Sequence, residues 1–395
     1  MRLPIPRHHI ALDRDELRLG VGLAGRGRAP PGSRAAFEIA VARAFGAERA
    51  VAVESGRTAL CLALQALDLA AGAVVVLPQY CFFSVVGVVE AMGLTPRFAP
   101  VDADTFTLDV VALAGALDGA ACLVIVHPFG QAASVDRIAA ICAEADVPLV
   151  EDASQSTGAS LEGKSVGSFG AYGVFSLVSG KNLQTFGGGL VVAADPARAA
   201  RLDVLTRGLQ EADEDRARQL LRSSLPRWLL ATRVGFAVAG WPGFVLIDAL
   251  APARLDQLFH EERRSFDPNE RIRRLSDAQG ALGLLGLERL DLRNSRRRHS
   301  AQRLLDGLGG VPGLALQHPD PRASHTWNAV PVRVADGDGL ARRLLRAGVD
   351  VRKDYMDHYG AGRAFSEDVI YVPNHTAMTE ADIDRVIAAV RAAIA

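Results

Sequence analysis

The stretch that decides the fold runs from Leu149 to Ala193. It opens Leu149-Val150-Glu151-Asp152-Ala153-Ser154-Gln155, then passes through Gly173-Val174-Phe175-Ser176-Leu177-Val178-Ser179-Gly180-Lys181-Asn182-Leu183 to Gly188-Gly189-Leu190-Val191-Val192-Ala193. Pro148 to Val150 carries no alternating polar residue, which predicts the end of a strand buried on both faces, with Asp152 just past its carboxyl end. Ligands of open α/β sheets sit at that edge. Lys181 falls in a turn between two short β-like runs, 172–178 and 188–193, so its amine is presented on a loop held from both sides.

A buried carboxylate and a loop amine together meet the needs of pyridoxal phosphate. That cofactor requires an amine to form a Schiff base with its aldehyde and an acid to keep its pyridine nitrogen protonated. Each residue alone has a plainer reading. An Asp after an apolar strand is commonly a helix cap or turn residue, and Gly-Lys-Asn is commonly a solvated turn.

The stretch resembles the DegT/StrS family of pyridoxal-phosphate-dependent sugar aminotransferases, within the aspartate aminotransferase fold type I. The family pattern runs E-D-A-A-Q, a Gly-rich turn, F-S-F, three residues, K-N-L and soon G-G. Here it is matched by Glu151-Asp152-Ala153-Ser154-Gln155, Gly167-Ser168-Phe169-Gly170, Phe175-Ser176-Leu177, Lys181-Asn182-Leu183 and Gly188-Gly189, with Phe186-Gly187 where the family commonly has Gly-Glu. The resemblance implies that Lys181 carries the Schiff base, Asp152 pairs with the pyridine nitrogen, Gln155 contacts the ring substituents and Ser176 binds the cofactor phosphate.

Two further segments join it. Glu54-Ser55-Gly56-Arg57-Thr58 follows the short strand 50–53 and opens a helix, a geometry that holds phosphate with backbone N–H groups, although a plain N-cap has the same pattern. The family reads S-G-T-A-A-L there, so the resemblance assigns Ser55, Gly56, Arg57 and Thr58 to the phosphate, with Arg57 standing in place of the family's Thr. Pro78 to Ser84 parallels the family's P-S-x-T-F-x-A, and the resemblance implies that Phe82 is the ring-stacking aromatic, whereas by themselves Phe82 and Phe83 read equally well as core residues. His127, at the end of the apolar run 122–126, reads as a loop anchor or a reactive group, the anchor being the commoner role.

The chain has 395 residues, a formal net charge of −1 and 49% apolar residues, which fits a soluble globular protein and excludes a nucleic-acid-binding or disordered one. Its length predicts two domains or one with an appendage. Four cysteines without paired spacing, at positions 61, 81, 122 and 142, suit reduced thiols in a cytoplasmic protein, and the N-terminal residues have no apolar signal-peptide core. The expected organisation is an arm over 1–34 with little regular structure, of the kind that drapes over a partner, then a large α/β domain over 35–250 and a small α+β domain over 251–395. The sheet of the large domain is expected to be mostly parallel and sandwiched by helices.

Within 225–250, residues 234–247 carry no charge. Gly240-Trp241-Pro242-Gly243 should break a spanning helix, which leaves a buried interface or an apolar flap over a membrane or a lipid-linked substrate. Arg274 to Gln279 resembles the family's N-Y-R-M-S-D-x-Q segment, with Ile272 in place of Asn. That segment reaches the partner's cofactor, so the resemblance implies a homodimer with shared active sites. The implied reaction is ping-pong transfer of an amino group from an amino acid, glutamate or glutamine, to a keto sugar on a nucleotide. Alternatives are a cyclitol or lipid-linked carbonyl as acceptor, or a non-catalytic pyridoxal-phosphate-binding regulator. Family dehydratases replace the lysine with histidine, and Lys181 is present.

Overall fold

The structure is a computed structural model and describes residues 3–25, 27–250, 266–267, 272–353, 356–360 and 369–394. Its centre is a seven-stranded sheet made of β1 (Arg49–Val53), β2 (Val74–Pro78), β3 (Thr95–Ala99), β4 (Cys122–Val126), β5 (Leu149–Asp152), β6 (Tyr172–Ser176) and β7 (Gly189–Ala193). The spatial order is β1-β7-β6-β5-β4-β2-β3. From β6 across to β3 all neighbours are parallel, whereas β7 runs antiparallel to both β6 and β1.

Most of these segments form strands because they are short apolar runs rich in Val, with both faces covered; the edge strand β3, Thr-Pro-Arg-Phe-Ala, is only partly buried. Along β1, Val51 and Val53 join one cluster with Leu60 and Leu64 of the Gly56–Ala66 helix. Ala50 and Ala52 face the other way, toward Phe37 and Val41 of the Ser33–Phe45 helix. The carboxyl ends of β1, β6, β5 and β4 therefore emerge along one edge, followed by Ser55, the Lys181 loop, Ala153 and His127 in turn.

The C-terminal part holds a second, antiparallel sheet of β8 (Leu314–Leu316), β9 (Val330–Val334), β10 (Arg352–Lys353) and β11 (Val369–Val372), in the order β8-β9-β11-β10. Its own core includes Leu304, Val332, Leu344, Ile370, Ile383 and Val386. The expected division at 250/251 abuts residues 251–265, which lie outside those described. Leu275 and Leu290, placed by that division in the small domain, lie in the core of the large sheet with Phe37 and Phe175.

Two local expectations differ from the structure. The arm contains the Arg14–Ala24 helix, opened by a capping box in which Asp13 accepts from the N–H groups of Asp15 and Glu16 while Glu16 accepts from the Asp13 N–H. The arm also lies on its own chain: Ile5 pairs with Val349, and Arg7 forms a two-pronged ion pair with Asp350. Nor does the chain break at 240–243. Phe236–Gly240 forms a π-helical turn, with the Trp241 N–H donating to the Phe236 carbonyl, and the Trp241–Leu250 helix follows directly. Pro242 lies in the first turn after this wide turn, where its missing N–H costs the ladder least.

Candidate active site

Glu151 is the fixed point of the site. It is fully buried and accepts hydrogen bonds from the backbone N–H groups of Phe169 (2.6 Å), Gly170 (2.7 Å) and Gly167 (2.7 Å). Gly167 has φ +87°, and a Cβ there would stand 2.5 Å from the ring of Phe175, so the turn depends on glycine. The fourth partner is His127, whose Nε2 lies 3.2 Å from Glu151 Oε2 while its Nδ1 accepts from the Ala133 N–H. That pattern puts the proton on Nε2. His127 is fully buried and acts as an anchor that joins the ends of β4 and β5.

The next residue, Asp152, ends β5 rather than following it. Its Oδ1 accepts from the Ser154 N–H at 2.9 Å, and the residue is 8% exposed. Among the described residues no Lys, Arg or His forms an ion pair with it, an unusual state for a buried carboxylate. Cys81 lies close by: burial pushes its thiol up, and the charges of Asp152 and Asp357 push it further. Gln155 is also buried. Its Oε1 accepts from the Phe129 N–H at 3.0 Å, and its Nε2 faces the sulfur of Met356 at 3.7 Å.

Lys181 occupies the excursion between β6 and β7. The excursion is closed at its base, where Leu177 N–H donates to Gly188 O and Leu177 O accepts from the N–H groups of Thr185 and Gly187. Gln184 braces it from inside, accepting from the Gly180 N–H at 2.8 Å and donating to Ala11 O of the arm at 2.9 Å. Asn182 donates to Asn294 at 2.7 Å. Phe186, where the family commonly has Gly, takes φ +63° and buries its ring with Leu221, Ala278 and Leu282.

The segment opening the Gly56–Ala66 helix meets this excursion directly. Ser55 caps the helix, accepting from the Thr58 N–H at 3.1 Å, and the two hydroxyls lie 2.7 Å apart. A Cβ on Gly56 would stand 3.2 Å from Cβ of Ser176, so the end of β6 and the helix N-terminus are in contact. Across the sheet, Gly189 is paired with both Val53 and Ser176. A Cβ on Gly189 would overlap the Ser55 carbonyl and stand 2.6 Å from Gly56 N. The backbone thus closes to a small-residue cradle at the positive end of a helix, with two hydroxyls beside it, which suits a phosphate dianion. Arg57 is half-buried in the first turn of that helix.

Phe82 stands at the N-cap of the Phe83–Ala91 helix, its ring 4.4 Å from that of Phe83. Just before it, Tyr80–Cys81 pairs with Asp357–His358 of the C-terminal part, and Tyr80 and Tyr371 share a 2.5 Å hydroxyl contact. Arg274, expected to serve a partner's site, bonds within its own chain: its guanidinium donates to Thr206 O at 2.6 Å and lies 3.4 Å from Glu211. Gln279 of the same segment donates to the Thr185 and Gly187 carbonyls of the lysine excursion. Sequence reasoning gave no role to Glu151, Gln184 or Met356. Of these, only Glu151 carried a signal, its place beside Asp152 in the quoted motif.

The architecture is that of the fold-type I transferases, with a lysine excursion, a buried acid and a helix-end cradle along one sheet edge. The chain belongs to the DegT/DnrJ/EryC1/StrS aminotransferase family, whose pattern it matches over residues 29–227 and 269–391. It is similar to dTDP-3-amino-3,4,6-trideoxy-alpha-D-glucose transaminase of Streptomyces venezuelae, with 29% identity over 321 residues, 81% of this chain and 72% of that one. To UDP-N-acetyl-3-dehydro-alpha-D-glucosamine 3-aminotransferase of Acidithiobacillus ferrooxidans it is 30% identical over 307 residues, 69% of this chain and 80% of that one. Among solved structures, the aminotransferase TlmJ of Streptoalloteichus hindustanus superposes with a TM-score of 0.75 at 25% identity, over 99% of this chain and 98% of that one. DesV of S. venezuelae gives 0.74 at 26% identity, over 98% of both chains.

Proposed function

We propose that this aminotransferase uses pyridoxal phosphate to move an amino group from an amino acid, glutamate or glutamine, to a keto sugar carried on a nucleotide. The observation that carries the cofactor reading is Asp152, a buried carboxylate with no cation partner among the described residues, at the same sheet edge as Lys181 and the Ser55–Gly56–Ser176 cradle. A protonated pyridine nitrogen is a fitting partner for such a carboxylate. The names of the similar proteins, which specify dTDP-, UDP- and GDP-linked sugars, support the nucleotide-linked acceptor.

When bound, the cofactor supplies an aldehyde that condenses with amines and a ring that holds an electron pair. Everything else falls to the chain. Ser55, Thr58, Ser176 and the helix end would hold the phosphate, with Arg57 of the first turn as a further candidate cation. Asp152 keeps the proton on the ring nitrogen. Phe82 would stack on the ring and keep water away from it. Lys181 would supply the amine that holds the cofactor and, when free, would take the proton from the donor's nitrogen-bearing carbon and, in the second half-reaction, give one to the carbon of the acceptor that gains nitrogen. Gln155, held by the Phe129 N–H, would meet a ring substituent.

A homodimer with shared active sites is part of the proposal, supported by the match of Arg274 to Gln279 with the family segment. The uncharged run within 225–250 favours one second reading, a lipid-linked carbonyl acceptor. The test is single-turnover spectroscopy of the purified holoenzyme with glutamate and with glutamine, followed by a screen of nucleotide keto sugars against the aminated enzyme. Amino transfer from a donor and onto one such sugar is expected. Failure of every donor would leave the non-catalytic regulator as the reading.

A further inference from the structure

We propose that the exposed face of the Arg233–Leu250 helix, together with Leu229 and Leu230 before it, lies in the plane of an anionic lipid bilayer. This helix is long and apolar enough to cross a membrane, yet most of it is outside the protein core. One of its faces is committed to the protein. Phe236 is buried, Trp241 Nε1 donates to Leu345 O at 3.0 Å, and Asp248 is buried between Arg346 (3.1 Å) and Arg342 (3.7 Å). At its start, Arg233 grips Asp382 through two hydrogen bonds of 2.7 and 2.8 Å.

The opposite face is apolar and open. Every fourth residue from 234 to 250 is Val234, Val238, Pro242, Leu246 and Leu250, and all five are exposed. Val238 is 74% exposed and Leu250 75%, values far outside a packed surface. A line of this kind on a helix whose other face is fixed is the pattern of an interfacial helix. Crossing the bilayer is disfavoured, because the Trp241, Asp248 and Arg233 anchors hold the helix along the Gly337–Arg346 and Glu380–Ile394 helices.

Charge selects the occupant. Residues 216–250 contain five arginines, of which Arg216, Arg218 and Arg233 pair with Glu54, Asp215 and Asp382, and one acidic residue, Asp248, which is buried and paired. The nearby cations stay in reach of solvent: Arg227 is exposed, Arg342 and Arg346, which share the single carboxylate of Asp248, are 44 and 67% exposed, and Arg343, 3.4 Å from Asp336, is 47% exposed. A second copy docking through the same face would set arginine against arginine across a two-fold axis. Anionic headgroups complement the nearby cations while the acyl boundary takes up the apolar line. The family pattern passes over this helix, stopping at 227 and resuming at 269, so the face is not one that the common fold covers.

The test uses the full-length holoenzyme, co-sedimented with vesicles of phosphatidylcholine alone or mixed with phosphatidylglycerol, with sedimentation velocity run in parallel. Binding to the mixed vesicles is expected, weakened by added salt, and the double variant V238E/L246E should reduce partitioning by at least about tenfold. Both positions are exposed, so the variant should keep the wild-type circular dichroism, sedimentation coefficient and amino transfer in solution. Three outcomes overturn the proposal: no binding to either vesicle, equal binding to both, or a variant that binds like wild type. Dissociation of a wild-type oligomer by the variant, with vesicles ignored, assigns the face to a second copy instead. None of these outcomes bears on amino transfer, which is read separately.

Discussion

Replacing Glu151 by Gln tests the anchor on which the site is built. The carboxylate accepts three backbone N–H groups, two on Oε1 and one on Oε2, and Oε2 also faces the protonated Nε2 of His127. His127 cannot relieve the conflict by changing tautomer, because its Nδ1 already accepts from Ala133. Whichever way the amide turns, its NH2 meets a donor. In the milder orientation it strands the Gly167 N–H and opposes His127; in the other it strands Phe169 and Gly170. A hydrogen bond to a charged group contributes about 1.5–3 kcal/mol, and a buried donor left unpaired costs about 1–3 kcal/mol. The expected loss is therefore about 2–4 kcal/mol, read as a lower urea midpoint at unchanged slope. Cofactor affinity should fall with it, since Asp152 is the next residue. A loss below about 0.5 kcal/mol would refute the idea that this carboxylate fixes the Gly167–Gly170 turn.

Borohydride reduction of the holoenzyme should place a phosphopyridoxyl group on Lys181, mapped by mass spectrometry, and Lys181→Ala should lower amino transfer by roughly a thousandfold or more. Asp152→Asn should slow the donor half-reaction by roughly 100-fold while changing cofactor affinity much less, measured by stopped-flow absorbance and equilibrium dialysis. Gly189→Ala forces a methyl against the Ser55 carbonyl and Gly56 N, and should weaken cofactor binding while leaving the lysine reactive toward free pyridoxal. His375 is 2% exposed, and burial first, then nearby His9 and Arg297, hold its pKa well below 6.5. The unfolded chain then binds a proton that the native one refuses, so stability falls as pH drops below about 6.5. Between pH 7.5 and 5.5 wild type should therefore lose more urea stability than His375→Gln does.

The sheet edge was legible because its markers are local. Asp152, Ser176 and Lys181 lie within one continuous motif, and the apolar runs that became β4 and β5 have no competing reading. What escaped was mostly set by contacts between distant parts of the chain. Gln184 reaches Ala11, Gln155 faces Met356, and Tyr80–Cys81 pairs with Asp357–His358, none of which leaves a trace in local spacing. The Arg14–Ala24 helix is different, since Asp13 and Glu16 spelled a capping box that the nearby prolines and glycines overshadowed. The continuous helix through Pro242 depends on a π turn, whose position follows from packing around Phe236 rather than from propensity.

The antiparallel course of β7 has a bearing on how the enzyme assembles. Because the chain turns back beside β6, the lysine excursion closes between Leu177 and Gly188, residues near each other in sequence, and its loop-closure cost is small. The cradle instead joins Ser55 to Gly188 and Gly56 to Ser176, contacts of high sequence separation that form only when β1 docks on β7. Contacts of the first kind are favoured early in folding and those of the second late. A nascent or refolding chain should therefore present its reactive lysine before it can retain a phosphate. Recovery of tight cofactor binding then reports the arrival of the first strand, not the formation of the lysine loop.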